Sequence, residues 1–470
     1  MPISLSKDEL CKVIGGKSSA QPFKGSFTGV EFNSAEVRGG ELFVAIKGET
    51  THGHKFLDDA FSKGAAMALV EDEALLANHP EAERLVWVPD TLVAFQRLAN
   101  WWRRELKLPV VAVTGSVGKT TCKEIMAAIL LQKSRGVYSV KSHNNHTGVP
   151  YTILKAGHEH EWLVLEMGMN HAGELTVLSK IGEPDVCGIT CIAPSHIGNL
   201  GSLEGIRSAK LEIVSALSPT GTFFTNADDD VLAAGVAAQS FATGQSVRSF
   251  GIGEAADVRL TAIESHGLEG VTVTLSLRTS GGGPEVITAK MDLIGRHNGL
   301  NVAAAVLGVR ALFPDFPAEL IQRGLTSFRA PLMRLNLKTT PDGRLVLDDS
   351  YNAGPNSMCA LLELGADLQK QGKVVGCVLG DMRELGEFSE RYHREVGQHI
   401  AAMRPAFVVG VGEWSRFYLE AAKAAGIPAT KAENPEVAAH IAQKLRFDIL
   451  MVKGSRGVGL DRTVKTLEKR

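Results

Sequence analysis

The run VVAVTGSVGKTTCKEI, residues 110–125, holds the residue types that grip phosphate. Gly115 and Gly118 leave the backbone N–H groups of Ser116, Val117, Thr120 and Thr121 free to converge on an anion. Lys119 adds a cation for the outer phosphates, and Thr120 a hydroxyl for the magnesium ion that accompanies them. The general phosphate-loop pattern has a glycine five residues before Gly118, where this chain has Val113, so the match is partial. An ordinary Gly-containing strand-to-helix turn is the alternative. The full Gly-Lys-Thr-Thr run, set between a β-branched strand and a helix, favours nucleotide binding.

Other chemistry-bearing residues stand at the ends of apolar runs. Glu166 closes WLVLE, where a carboxylate can reach a metal beside the phosphate loop, or can cap a helix or pair with a surface base. His196 lies in the polar loop APSHIGNLGS, and a solitary histidine is usually structural. Lys210 falls on an amphipathic helical pattern, where a solvated lysine is the ordinary reading. Asn298 and Asn301, in RHNGLN, open a helix; Asn298 can cap it or read a base. Asp348 and Asp349 in VLDDSYNAGPNSM, with VLGDMRELG and MVKGSRG, are three further strand ends carrying glycine and charge, which together would line one edge of a sheet.

These residues need parallel strands to hold them. Apolar runs such as WLVLEMG and VCGITCI alternate with helical segments such as SLEGIRSAKLEIVSAL, which predicts a mainly parallel sheet covered by helices. Residues 245–292 change texture to β-rich runs with Gly-containing turns, predicting antiparallel hairpins attached to the same domain. The predicted class is α/β with three domains. Residues 1–88 form a small N-terminal unit, 89–328 a central phosphate-loop unit with added antiparallel strands, and 329–470 a doubly wound, Rossmann-like unit.

Composition sets limits on partners. A net charge of -2, with 22% charged and 44% hydrophobic residues over 470 positions, excludes disorder and a basic nucleic-acid footprint. No run approaches the roughly 20 apolar residues that span a bilayer, and the N-terminus lacks a signal-peptide core, so a cytoplasmic protein without membrane insertion is expected. The six cysteines have neither Cys-x-x-Cys nor zinc spacing and are expected to be reduced.

Taken in order, TGSVGKTT, NNHTGVP, LEMGMNHAGEL, HIGNLGS, SAKLEI, GRHNGLNVAAA, DDSYNAGPNSM and LGDMRELG resemble the Mur ligases, the ATP-dependent amide-bond-forming enzymes of peptidoglycan precursor synthesis, over nearly the whole chain. Within that family the likeness is greatest to the member that adds D-alanyl-D-alanine to UDP-N-acetylmuramoyl-tripeptide. The shortened phosphate loop is the form this family uses.

The resemblance implies that Lys119 and the backbone from Gly115 through Ser116, Val117, Gly118 and Thr120 to Thr121 hold the phosphates of ATP. Thr120 and Glu166 would share one magnesium ion and His196 would serve a second. Lys210 would be carbamylated by carbon dioxide, turning a cation into an anionic oxygen ligand. His297 and Asn298 would lie on the adenine side, with Arg334 and Asp349 as nucleotide contacts from the third domain. Tyr351 and Asn352 would face the dipeptide, and Ser34, Asn144 and Thr147 the UDP-linked substrate. A monomer is expected. The chain departs from the family pattern at Asn33-Ser34-Ala35, where Asp-Ser/Thr-Arg is common, at His52 in place of an acid, at Gly354 in place of Asn, and at Met333 in place of the glycine before Arg334.

Overall fold

The computed structural model describes residues 3–48, 51–279 and 283–469. Glu49, Thr50, Ser280, Gly281 and Gly282 lie outside the described residues. Among the described residues three larger sheets and a two-stranded antiparallel one, Ser4–Ser6 with Ser26–Thr28, carry the chain, a mixed, mainly parallel architecture as the sequence predicts.

The first sheet has five strands in the spatial order Lys17–Ser18, Leu85–Trp87, Met67–Val70, Leu42–Val44 and Val30–Glu31; all pairs are parallel except the first. The central sheet has nine strands. Its parallel core runs Val137–Tyr138, Leu163–Glu166, Val110–Thr114, Val186–Ile189, Thr222–Asn226. The third sheet has six strands, parallel except for the edge strand Asn336–Thr339.

In the central core every residue of Val110–Thr114, Leu163–Glu166 and Val186–Ile189 is buried, which is why these strands read as unbroken apolar runs rather than as alternation. Their carboxyl ends lie side by side, so the loop after Val110–Thr114, the Glu166 carboxylate and the loop before His196 open onto one edge of the sheet.

The region 245–292 differs in part from the hairpins expected. Ser246–Gly251 pairs in parallel with Thr222–Asn226 and, over two residues, with the start of Val258–Ser265. Only the last two pairings, through Val271–Leu277 to Glu285–Met291, are antiparallel, and all belong to the same sheet. The helix expected over SLEGIRSAKLEIVSAL is α-helical for Leu203–Leu211 and tightens to a 3-10 turn over Glu212–Ala216, which places Lys210 near the change of pitch.

The first two units are joined by a buried charge. Glu31 accepts hydrogen bonds from the Tyr151 hydroxyl (2.8 and 3.0 Å) and from Lys155 (2.5 Å), while Phe32 packs edge-on against Tyr151. Glu31 is 6% exposed while Lys155 is 43% exposed, so the carboxylate is withdrawn from water and depends on both donors for its compensation. Among the described residues no helix is long and apolar enough to cross a membrane.

Candidate active site

The phosphate loop is set by contacts to the neighbouring strand end. Ser116 donates its hydroxyl to Ala193 O and accepts from Ala193 N–H, both at 2.9 Å, and its own N–H donates to Cys191 O. Gly118 has φ 88° and opens the helix Lys119–Leu130; a Cβ there would overlap the Asn301 side chain, so the position requires glycine for both conformation and space. The Lys119 ammonium folds onto the loop and donates to Gly115 O at 2.7 Å. Burial pushes its pKa down, an effect that the Glu166 charge opposes.

Glu166 is 1% exposed, so neither helix capping nor a surface ion pair describes it. Its Oε1 accepts from Asn144 Nδ2 at 2.8 Å, and its backbone N–H donates to Ser139 Oγ at 3.0 Å. Oε2 is buried without a hydrogen-bond partner, a costly state for a carboxylate oxygen and the arrangement expected where a cation is to be held. His196 takes φ 60° at the start of the turn Ile197–Leu200. Its Nδ1 lies 2.7 Å from Glu384 Oε2, a close polar contact between the central and third units. Beside it Gly198 N–H donates to Glu384 O, and a Cβ on Gly198 would strike the Gly386 backbone.

Lys210 is 1% exposed, which overturns the solvated-lysine reading. It has neither hydrogen bond nor ion pair among the described residues. Burial first, and the Lys119 charge second, hold its amine well below the ordinary lysine pKa. Lys210 is not a wall residue of either cavity described below.

From the third unit Arg334 donates to the Thr120 hydroxyl at 2.9 Å and lies 4.5 Å over the Tyr351 ring, while the Tyr351 hydroxyl meets Ser142. Asp349 pairs with the buried Lys453 at 2.5 Å, and Lys453 also donates to Asn352 O at 2.9 Å. Phosphate loop, Asn144, Glu166, His196, Arg334, Asp349, Tyr351 and Asn352 wall one cavity of about 330 Å³. A second cavity of about 370 Å³ shares Val117, Gly118, Arg334 and Asp349 with it and is lined further by Thr121, His297, Asn298 and Asn301. Asn298 makes no side-chain cap; it donates to Ile294 O at 2.8 Å and accepts from Asn301 at 3.0 Å. Helix capping is thereby set aside.

Besides Lys210 and Gly115, two further sequence-expected residues stand apart from these cavities. Ser34 is buried in the first unit, where its carbonyl accepts from Lys63 Nζ, and Thr147 donates its hydroxyl to Asn145 Oδ1 at the start of the helix Gly148–Leu154. Lys453, Arg383 and Glu384 wall the main cavity but were given no role by sequence reasoning. Their signal was present in MVKGSRG and VLGDMRELG as charge at strand ends.

Two of the departures, His52 and Met333, have a local account, and Gly354 has none. His52 caps the turn Gly53–Phe56 by accepting from His54 N–H, the task of an acid, and its other nitrogen meets Glu71 at 3.3 Å. A Cβ on Gly354 would meet nothing within 4 Å, so glycine there relieves no clash. Met333 sits at φ 60°, where glycine is favoured, at a cost of about 1–2 kcal/mol to any other residue. Met333→Gly is therefore expected to raise the stability of the third unit by about 0.5–1 kcal/mol in denaturant titration, since the strain relieved exceeds the backbone entropy lost.

Comparison with known proteins agrees with this architecture. Family models described as Mur ligase family, catalytic domain; Mur ligase middle domain; and Mur ligase, glutamate ligase domain match residues 26–103, 113–309 and 333–456. UDP-N-acetylmuramoyl-tripeptide–D-alanyl-D-alanine ligase of Bacillus subtilis is 34% identical over 93% of each chain, and its Escherichia coli counterpart 33% identical over 99% of each. A crystal structure of MurF from Acinetobacter baumannii superposes with a TM-score of 0.85 at 29% identity, covering both chains in full. MurF from Thermotoga maritima in complex with ADP gives 0.76 at 26% identity, covering 93% of this chain and 96% of that one. The chain belongs to the Mur ligase family of ATP-dependent amide-bond-forming enzymes.

Proposed function

We propose that this enzyme uses ATP to join D-alanyl-D-alanine to UDP-N-acetylmuramoyl-tripeptide, in the synthesis of peptidoglycan precursors. The observation that carries the reading is the meeting, around one cavity, of the phosphate loop and a buried carboxylate with an open oxygen from the central unit, and Arg334, Asp349 and Tyr351 from the third. The division into units at 88/89 and 328/329 belongs to the same proposal, supported by the closure of each sheet within its own stretch of chain.

A carboxylate is a poor electrophile and must first be activated. A terminal carboxylate oxygen of the tripeptide attacks the γ-phosphorus of ATP and the bond to ADP breaks, giving an acyl phosphate and ADP. The neutral amine of the dipeptide then attacks the acyl carbon, and the tetrahedral intermediate expels inorganic phosphate as the nitrogen loses a proton. Lys119 and the N–H groups from Gly115 to Thr121 hold the phosphates and disperse charge as the γ-phosphoryl group moves.

Thr120 and Glu166 would hold one magnesium ion, and the partnerless Oε2 fits that role. His196 would serve a second, and carbamylated Lys210 would supply anionic oxygen where an ammonium would repel. The buried, uncharged-leaning amine fits this chemistry, because only a neutral amine adds to carbon dioxide. Bound magnesium lends positive charge to the phosphate oxygens. His297 and Asn298 face the adenine, Arg334 and Asp349 complete the nucleotide site, and Tyr351 and Asn352 meet the dipeptide. Asn144, Thr147 and Ser34 belong to the side of the UDP-linked substrate.

The test is product formation by the purified chain. ADP and phosphate should appear only when UDP-tripeptide and D-alanyl-D-alanine are both present, and single amino acids should not replace the dipeptide. ADP formed equally well with either one missing, or glutamate serving as the better acceptor, would overturn the reading.

A further inference from the structure

One buried lysine beside the site has no part in the chemistry above. Lys123 lies on the helix Lys119–Leu130, one turn beyond Lys119 and Thr120, and its side chain is fully buried. Its ammonium donates to Ser139 O and to Glu124 Oε1, each at 2.6 Å, and stands 5.6 Å over the Tyr138 ring. It also lies 4.0 Å from Glu166 Oε2, the oxygen that has no hydrogen-bond partner. Ser139 ties the group together, since its hydroxyl accepts the Glu166 backbone N–H while its carbonyl accepts the Lys123 ammonium.

We propose that Lys123 is a built-in counter-ion of Glu166, a positioning residue that keeps this carboxylate from taking up a divalent cation until nucleotide phosphates arrive with it. The inference rests on the metal reading of Glu166 given above. The Lys123 ammonium, paired with Glu124 at 2.6 Å on its other side, stands 4.0 Å from the Glu166 carboxylate away from water and there repels a second cation at the same oxygen more strongly than it would at the surface. The protein offers little to overcome that repulsion: among the described residues no three His, Cys, Asp or Glu side chains gather as a metal group. The anionic oxygens that make the site strong enough must come from the β- and γ-phosphates. Metal therefore enters as a metal–nucleotide complex, and its hold weakens once the nucleotide departs.

Manganese binding to the full-length protein, followed by electron paramagnetic resonance without nucleotide, tests this. Lys123→Met keeps the stem and removes the charge, and should bind Mn2+ about tenfold or more tightly than the wild type. Lys123→Gln should do the same; it retains a donor for Ser139 O and carries the test if the Met variant does not fold. Adding Glu166→Gln to either variant should abolish the gain. A buried lysine that merely supports the fold predicts the opposite sign, because loosening Ser139 and Glu166 weakens metal binding; affinity unchanged or lowered in both variants overturns the inference. Mn2+ binding in the presence of ADP that is indifferent to Glu166→Gln alone is a different failure, that of the metal reading itself.

Discussion

Lys119→Ala lowers turnover by about a thousandfold, read as ADP release in the presence of both acceptor and donor substrates, because a preorganised cation on a transferring phosphoryl group is worth about that much. The loop presents one lysine to the outer phosphates, and the Thr120 hydroxyl beside it is uncharged. Stability should be nearly unchanged. The ammonium is half-buried, its pKa is lowered by that burial, and its one short hydrogen bond to Gly115 O is offset by desolvation. Arginine is not an equivalent replacement, since a broad planar fork cannot lie within a loop that closes on a compact point charge. Turnover within tenfold of wild type would remove the phosphate loop from the reaction.

Lys210→Met is expected to do two opposite things. It should lower turnover by about a hundredfold, the usual scale for loss of a group that supports a metal. It should also stabilise the protein in carbon-dioxide-free buffer by about 1–3 kcal/mol, because an isosteric apolar side chain replaces a buried amine without a partner. The sign follows from linkage. The folded-state pKa of Lys210 lies well below its unfolded value, so between the two the unfolded chain binds more protons and stability rises with pH. The advantage of methionine is therefore greatest at and below neutral pH and fades as pH approaches the ordinary lysine range. Denaturation at several pH values measures this. Carbon-13 NMR with labelled carbon dioxide should show a carbamate signal in the wild type that is absent from the variant. An active Lys210→Met enzyme would eliminate the carbamate role.

Much of this arrangement was legible because fully buried parallel strands write themselves as unbroken apolar runs, and their carboxyl ends are where charged residues stand out. Gly118, Lys119, Glu166, Asp349 and Tyr351 could be read in that way. Lys210 could not: on a helical pattern its neighbours look amphipathic, and only the packing of the third dimension shows that its face is closed. Asn298 was left open between cap and base contact, since asparagine before a helix can read as a cap, and only the structure shows its amide engaged by Ile294 O and Asn301. Lys123 was invisible because a lysine's sequence context does not reveal which carboxylate it will meet from a distant strand, and the strand-end charge of Lys453 did not say that it would meet Asp349. The parallel pairing of Ser246–Gly251 was lost for a related reason, as periodicity reports burial and not the direction of a neighbour.

The two joints between units are built from different materials. At the first, the buried Glu31 carboxylate is clasped by Tyr151 and Lys155, and parting the groups would leave that anion without partners. At the second, Arg334 rests on the Thr120 hydroxyl and Glu384 on His196, groups that incoming phosphate and metal would claim for themselves. Phosphate and metal would thus compete with the contacts of the second seam and not with those of the first.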